Sequence, residues 1–293
     1  MRSNRRMRRG WPALLLAASS LMLASRMASA ESSDTFPGDV PNNFRLFVGG
    51  EYAWFNTTVN FQQNLTPGGP IGSGVDMESL GLLKSSAPGF VARGYWNFLG
   101  RFFLDFGYTG FRRNTTKSAS VNVPVGDVIY TAGASVKAST SSDLPYLDFR
   151  YDFIKNEHTQ LGFSIGASYV ILKADLQASA GVVGPGGPII GQTVTQTAKE
   201  ELFVPLLGLK FDQQLGDGLS AGIVFNGIFA PVSPYTGAVF DGEAHVDWFM
   251  TKNFGLSAGF DYQSFRLKRE DSTSYVKFQY SYYGPRLYLT FTF

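Results

Sequence analysis

The last nine residues of the chain alternate between apolar and polar side chains. Counted back from the end, every second residue is apolar: Phe293, Phe291, Leu289, Leu287 and Pro285. The residues between them are Thr292, Thr290, Tyr288 and Arg286. A period of two residues predicts a β-strand with one apolar and one polar face. Strands of water-soluble sandwiches rarely end on a terminal aromatic residue, so this pattern favours a different environment.

The same alternation recurs along the chain and predicts ten antiparallel strands. In chain order they cover Arg45–Thr57, Pro88–Phe98, Arg101–Arg113, Ser142–Phe153, Thr159–Gln177, Thr193–Gln213, Leu219–Pro231, Thr236–Met250, Asn253–Lys268 and Ser274–Phe293. The apolar parity changes near Gly284-Pro285, which predicts a β-bulge in the last strand. Eight or twelve strands are the alternatives.

The connections between these strands alternate in length. Residues 58–87, 114–140 and 178–192 form long polar or Gly- and Pro-rich loops, whereas turns such as Leu99-Gly100 and Gly216–Gly218 are short. Segment Val75–Leu83 within the first loop has no assigned structure. Short turns at one end and long loops at the other are typical of an outer-membrane barrel with periplasmic termini. A soluble sandwich has no reason to separate its loops by length. The sequence therefore predicts an all-β, up-and-down transmembrane barrel.

The N-terminal thirty residues have the features of a secretory signal peptide. A basic stretch precedes the apolar segment Trp11–Ser25, and Ala28-Ser29-Ala30 gives an A-x-A cleavage site. We predict a signal peptide at 1–30, a periplasmic lead at 31–43 and an outer-membrane barrel at 44–293. An uncleaved anchor is the alternative for the first segment.

Composition excludes several kinds of site. The chain has no Cys, so neither a disulfide nor a thiolate metal site can form. Six of the 25 basic residues lie in the predicted signal peptide, which leaves 19 against 23 acidic residues. This acidic balance argues against a nucleic-acid partner. No cofactor is predicted.

In a membrane barrel the apolar face contacts lipid and the polar face lines the lumen. The predicted lumen charge network is Glu51, Arg93, Asp105, Asp148, Arg150, Asp152, Lys210, Asp212, Asp241, Glu243, His245, Asp247, Asp261 and Arg286. Arg101, Arg113 and Glu200 are also assigned inward. A ten-stranded barrel is only slightly wider than one whose interior is filled by side chains, so these charges should form a salt-bridged plug. A narrow path for ions or small solutes is the alternative.

Aromatic residues near strand ends are assigned to the membrane interfaces: Trp54, Trp96, Phe98, Trp248 and Tyr262.

The densest chemical cluster is Asp241-x-Glu243-x-His245-x-Asp247. A period of two places all four side chains on one face of a strand. A His between carboxylates suits a general base or a metal ligand. A straight strand spreads such residues along its length, however, so we predict no catalytic and no metal site here.

Two segments resemble a family of small Gram-negative outer-membrane barrels. They are Val75-Asp76-Met77-Glu78 to Leu82 and Tyr282-Tyr283-Gly284-Pro285 to Phe293. The resemblance implies fold and location, with no activity attached. It also implies that the C-terminal strand closes the barrel against the first and that Leu287, Leu289, Phe291 and Phe293 form the signal read by the barrel-assembly machinery. The other expected partners are outer-membrane lipid and lipopolysaccharide, and the sequence does not define an oligomeric state.

Ten strands also resemble the omptin outer-membrane proteases in architecture. Omptins use paired acidic residues and an Asp–His pair near the extracellular rim. No Asp-x-Asp pair lies at the top of an early strand here, and Asp148-x-Arg150-x-Asp152 approaches the periplasmic end instead. We therefore predict a non-enzymatic barrel, structural or a narrow channel. A rim enzyme and a loop-mediated adhesin are the alternatives.

Overall fold

The computed structural model describes residues 43–63, 75–79, 83–118, 122–125, 128–178, 182–184, 187–189, 194–232, 235–270 and 274–293. The predicted signal peptide at 1–30 and all but the last residue of the predicted lead at 31–43 lie outside the described residues. The described residues contain no helix of the length and hydropathy needed to span a membrane.

Ten long strands form the body of the protein. They are β1 (Phe44–Gln63), β2 (Ser86–Leu99), β3 (Phe102–Ser118), β4 (Ser135–Lys155), β5 (Thr159–Ala178), β6 (Val194–Gly216), β7 (Leu219–Val232), β8 (Tyr235–Phe249), β9 (Phe254–Glu270) and β10 (Ser274–Thr292). Each strand pairs antiparallel with the next, and β10 pairs with β1 from Arg45↔Thr292 to Gln63↔Ser274. The sheet is closed, so the predicted ten-stranded antiparallel barrel is confirmed.

The strands extend further toward the long loops than the alternation indicated. β1 continues to Gln63 instead of Thr57, and β4 begins at Ser135 instead of Ser142. A tilted strand needs only about 9–11 residues to cross a bilayer, so strands of this length continue beyond the membrane. The end of the barrel that carries the long loops therefore extends into the extracellular medium.

The outward face of β9 marks the limit of the membrane-embedded part. Leu256, Phe260 and Tyr262 are exposed on the outside of the barrel, and further along the same face lie Ser264 and Arg266. Phe254 to Tyr262 is nine residues, which matches the length that crosses the hydrocarbon. Tyr262 therefore lies at the outer interface, whereas Trp96, Phe98 and Trp248 lie next to the periplasmic turns.

The inside of the barrel reverses its polarity at the same level. Toward the periplasmic end the lumen holds charged side chains, whereas toward the loops it is filled by buried apolar residues in one contiguous cluster. We call this cluster the apolar layer; it includes Phe55, Phe111, Val170, Leu202, Phe265 and Tyr282. Where the outer surface meets water, the barrel is packed like a water-soluble protein, because an apolar interior is then the favourable arrangement.

This reversal explains why the predicted bulge at Gly284-Pro285 is wrong. The pairing of β10 with β9 runs through these residues, and its pairing with β1 continues beyond them in an unchanged register. Tyr280 and Tyr282 are buried in the lumen, on the same side as Arg286 and Tyr288. The apolar parity changes because the environment changes along the strand, and the backbone stays regular.

Short strands lie at the end of the barrel that carries the long loops. Val75–Asp76 pairs with Thr58 and Val59 of β1, so part of the previously unassigned segment adds to the barrel edge. Four others form a separate sheet in the order Gly187–Ile189, Val182–Gly184, Val128–Tyr130 and Val123–Val125. The second and third long loops therefore meet through hairpins beyond the barrel.

Candidate functional site: the lumen

The candidate site is the charged part of the lumen. It contains the fourteen residues of the predicted network together with Arg45, a buried residue of β1 that the predicted network does not include. We call these fifteen residues the charged layer. They lie toward the periplasmic ends of their strands. Neighbouring members on one strand are two residues apart, so their side chains face the lumen together.

Arg286 on β10 is the centre of one group. Its guanidinium nitrogens lie 2.8 Å from Glu51, 2.7 Å from Glu243 and 2.8 Å from Asp261. Glu243 also receives Arg93 at 2.5 Å. Charge-assisted contacts of this length are among the stronger hydrogen bonds in proteins. This group joins β1, β2, β8, β9 and β10 across the lumen.

Arg150 on β4 is the centre of a second group. Its Nε lies 3.1 Å from Asp105 and 3.5 Å from Asp152, and its Nη1 lies 3.9 Å from Asp212. Lys210 lies 3.5 Å from Asp212. Arg150 has no exposed surface, so its charge depends on these carboxylates for compensation.

His245 connects the two groups. Its Nε2 lies 3.2 Å from Asp212 Oδ1, and its Nδ1 lies 3.5 Å from Glu243 Oε1. All four residues of the Asp241–Asp247 motif are directed to the lumen, as the period of two predicts. Among the described residues, no three His or carboxylate side chains are arranged to hold a metal ion.

Aromatic rings from four neighbouring strands line one wall of the charged layer. Phe47, Tyr95, Phe103 and Tyr288 form a buried cluster with Val91. The guanidinium of Arg150 lies 4.0 Å from the ring centre of Phe103, and that of Arg93 lies 4.6 Å from Phe47. Such cation–π contacts stabilise a desolvated cation. The arginines are thus held between carboxylates and rings.

The apolar layer covers the charged layer on the extracellular side. Phe111 lies 5.0 Å from Phe55 and 4.8 Å from Tyr282, between ring centres, in edge-on contacts. Residues of β5, β6 and β8 complete the same cluster from the opposite wall. Side chains from both walls therefore meet in the middle of the lumen.

Part of the first long loop folds into this layer. Met77 and Leu83 are buried in it, and the amide of Met77 donates to the carbonyl of Thr57 at 3.0 Å. Glu78 accepts a hydrogen bond from the amide of Thr57 at 2.7 Å and forms an ion pair with Arg113. The sequence assigned Arg113 inward but gave no sign of this partner from the loop.

Three predicted features lie outside the charged layer. Arg101 is exposed at a periplasmic turn, where it donates to the carbonyl of Phe153 at 2.8 Å. Glu200 is half-buried near the extracellular end of β6. The residues of the expected assembly signal are on the outside of β10, where Leu287 is 69% exposed and Phe293 58% exposed.

Among the charged layer, Asp148 and Asp241 differ from the other carboxylates. Neither has a Lys, Arg or His nitrogen within 4.0 Å among the described residues, whereas each of the other seven has at least one. Asp241 accepts a hydrogen bond from Asn226 at 3.1 Å. Both line a cavity of about 80 Å³ between the two groups of ion pairs.

No protein-family model matches the chain, and no curated protein matches it by sequence. Among solved structures, the outer membrane protease OmpT from Escherichia coli matches with a TM-score of 0.58 at 13% identity, over 89% of this chain and 100% of OmpT. OprG from Pseudomonas aeruginosa matches at 11% identity over 88% and 97%, with a TM-score of 0.37. Ail of Yersinia pestis matches at 12% identity over 85% and 99%, with a TM-score of 0.33. The likeness to OmpT is one of fold.

The closed barrel and its fold agree with the predicted location. Apolar side chains form the outer belt, and OmpT, a solved structure with a similar fold, is an outer membrane protein. The chain is an outer-membrane β-barrel of ten strands.

Proposed function

We propose that this barrel is a structural outer-membrane protein whose lumen is closed by its own side chains. Two layers of different chemistry support the proposal: the charged layer with its ion pairs and the apolar layer above it. An ion in transit has to be dehydrated to cross the apolar layer, which is costly in a medium of low dielectric constant. The apolar layer therefore argues against the alternative function, a narrow path for ions or small solutes.

The single observation that carries the proposal is the contiguous packing of the apolar layer. Phe55 and Phe111 contact each other from β1 and β3, and Phe111 also contacts Tyr282 from β10. The buried segment with Met77 and Leu83 fills the same level from the loop side. Together these described residues form an apolar barrier across the outer half of the lumen, which supports a closed barrel.

The proposal assigns the chain no enzymatic role. The protease activity that the name of OmpT states belongs to that protein, and a likeness of fold does not transfer an activity. The charged layer lies inside the barrel beneath the apolar layer, a position that does not suit cleavage of a large substrate. Lipid, lipopolysaccharide and the assembly machinery remain the expected partners.

Conductance in planar bilayers tests the proposal. We expect the wild-type barrel to give no discrete steps of conductance. The double variant Phe55→Ala with Phe111→Ala removes two rings from the apolar layer and should produce measurable steps. The matched control, Phe90→Ala with Phe149→Ala, removes two rings that are exposed on the lipid face and should stay silent. Open-pore conductance of the wild-type protein would overturn the proposal.

A loop-mediated binding function is the second candidate. The observation that favours it is the four-stranded sheet formed by hairpins of two different loops, which presents ordered backbone beyond the barrel. Replacing residues 119–134 by a short Gly-Ser linker should remove binding to cells or ligands while insertion is retained. Unchanged binding by that variant contradicts this candidate.

A further inference from the structure

The charged layer carries more negative than positive charge. It holds nine carboxylates against five Arg and Lys side chains, which is an excess of four negative charges with His245 neutral. Lys155, at the periplasmic rim, instead donates to the carbonyl of Gly100 at 2.6 Å. Buried charges without compensation are strongly unfavourable, so the excess requires either bound cations or bound protons.

Asp148 is the carboxylate that most needs a bound cation or proton to compensate its charge. Its residue is 3% exposed, its Oδ1 is buried, and no hydrogen-bond partner lies within reach of that atom in the described part of the chain. The side chain lines the 80 Å³ cavity together with Asp241. This carboxylate, with one unpartnered oxygen, therefore borders a space that can hold a ligand.

The walls near Asp148 and Asp241 supply neutral oxygen ligands. Ser164, Ser168 and Tyr146 line the same cavity. Asn226 lines it as well, from β7, which lies between the strands that carry Asp148 (β4) and Asp241 (β8). A cavity needs about 10–15 Å³ to hold one water, so 80 Å³ has room for an ion that keeps part of its hydration shell. Carboxylate, hydroxyl and amide oxygens together suit a hard cation.

We propose that the lumen binds a small monovalent cation, such as K⁺, Na⁺ or NH₄⁺, between Asp148 and Asp241. A divalent ion usually takes several anionic ligands at close range. Among the described residues, however, no group of three carboxylates or His is placed to hold one metal ion. The bound ion offsets part of the negative excess and stabilises the folded barrel. This inference holds whether or not the lumen conducts, so it does not depend on the proposed function.

Thermal unfolding of the purified barrel in detergent tests this site. The unfolding temperature is compared in KCl, NaCl and NH₄Cl and in N-methyl-D-glucamine chloride, at one ionic strength and pH. A ligand that binds only the folded state raises the unfolding temperature with its concentration and saturably. We expect such a rise with the small cations and no rise with N-methyl-D-glucamine, which is too large for the cavity.

Asp148→Asn should remove the cation-dependent rise. Asp143→Asn is the matched control, because Asp143 lies on the same strand but pairs with Arg112 at 2.6 Å on the outside of the barrel, and it should keep the full rise. If Asp148→Asn does not fold, two other experiments test the same site. One is the Asp241→Asn variant, and the other is anomalous scattering from wild-type crystals soaked in Rb⁺. A Rb⁺ peak between Asp148 and Asp241 supports the site.

Three results would overturn the inference. The first is an unfolding temperature that is equal in small and large cations. The second is a rise that survives in both Asp148→Asn and Asp241→Asn. The third is an infrared band of a protonated carboxyl group in the wild-type protein that disappears in Asp148→Asn, since a proton would then take the place of the cation.

Discussion

Asp148 lies directly opposite Gly166 in the β4–β5 pair, and the absence of a side chain at Gly166 leaves the space that the carboxylate occupies. A Cβ atom at Gly166 would overlap Asp148 Oδ1 and the carbonyl oxygen of Leu147. Gly162 stands in the same relation to Asp152, and Gly222 to Asp212 and His245. Lumen-facing glycines thus make room for the charges of neighbouring strands.

Gly166→Ala should therefore destabilise the barrel. The overlap involves backbone as well as a side chain, so the strands have to shift, and overpacking of this kind costs about 1–3 kcal/mol. Urea unfolding followed by heat-modifiable gel mobility measures the change. Gly216→Ala is the matched control, because a Cβ there meets no atom within 4 Å. Equal stability of the two variants would contradict the role of Gly166.

Arg286→Gln should be among the most damaging single changes in the lumen. It leaves Glu51, Glu243 and Asp261 close together without their common cation, and removal of one partner from a buried pair costs about 3–5 kcal/mol. The deficit relative to wild type should shrink as the pH falls, because protonated carboxylates do not repel one another.

Unfolding curves at several pH values test this prediction, with Arg266→Gln as the control. Arg266 is on the outward face of β9 and is exposed, so its replacement should change stability little at any pH. A deficit of Arg286→Gln that stays constant across the pH range would argue against carboxylate repulsion as its cause.

Arg113 and Arg112 are adjacent in sequence and are predicted to respond very differently. Arg113 is buried, pairs with Glu78 and donates to Thr57 Oγ1 at 2.8 Å, whereas the Arg112 side chain is 59% exposed and pairs with Asp143. Arg113→Gln should cost about 3–5 kcal/mol and release the loop segment that carries Met77. Arg112→Gln should cost about 0–1 kcal/mol.

Limited proteolysis from the extracellular side, together with unfolding curves, measures both effects. We expect faster cleavage within residues 64–85 in Arg113→Gln only. Identical cleavage rates in the two variants would show that the buried pair does not anchor the loop.

The alternation of side chains was sufficient to predict the barrel, because lipid imposes a strict period of two on every membrane-crossing strand. It was also sufficient to place Arg286, Glu243 and Asp261 in the lumen. The partners within the lumen were not predictable, since they lie on strands far apart in sequence, such as Glu51 and Arg286.

The same rule fails where the strands leave the membrane. Tyr280 and Tyr282 are inward and apolar because water now surrounds the barrel, and reading them by the lipid rule produced the mistaken bulge. Met77 and Leu83 contribute to the interior from a loop, and no period in the sequence connects them to a strand.

Phe293→Ala separates a signal for assembly from a contribution to stability. Phe293 is exposed, and its main fixed contacts are the backbone hydrogen bonds with Phe44 at 2.9 and 3.1 Å, which a side-chain replacement retains. Loss of the ring removes one aromatic contact with Phe44, at 5.9 Å between ring centres, so purified Phe293→Ala should unfold close to the wild-type temperature. If the ring is read during assembly, the amount of folded barrel in outer-membrane fractions should nevertheless fall several-fold. Leu287→Ala, at an equally exposed position further from the terminus, is the comparison for position along the strand. A Phe293→Ala protein that reaches the membrane in normal amount would show that the terminal ring is not part of the signal.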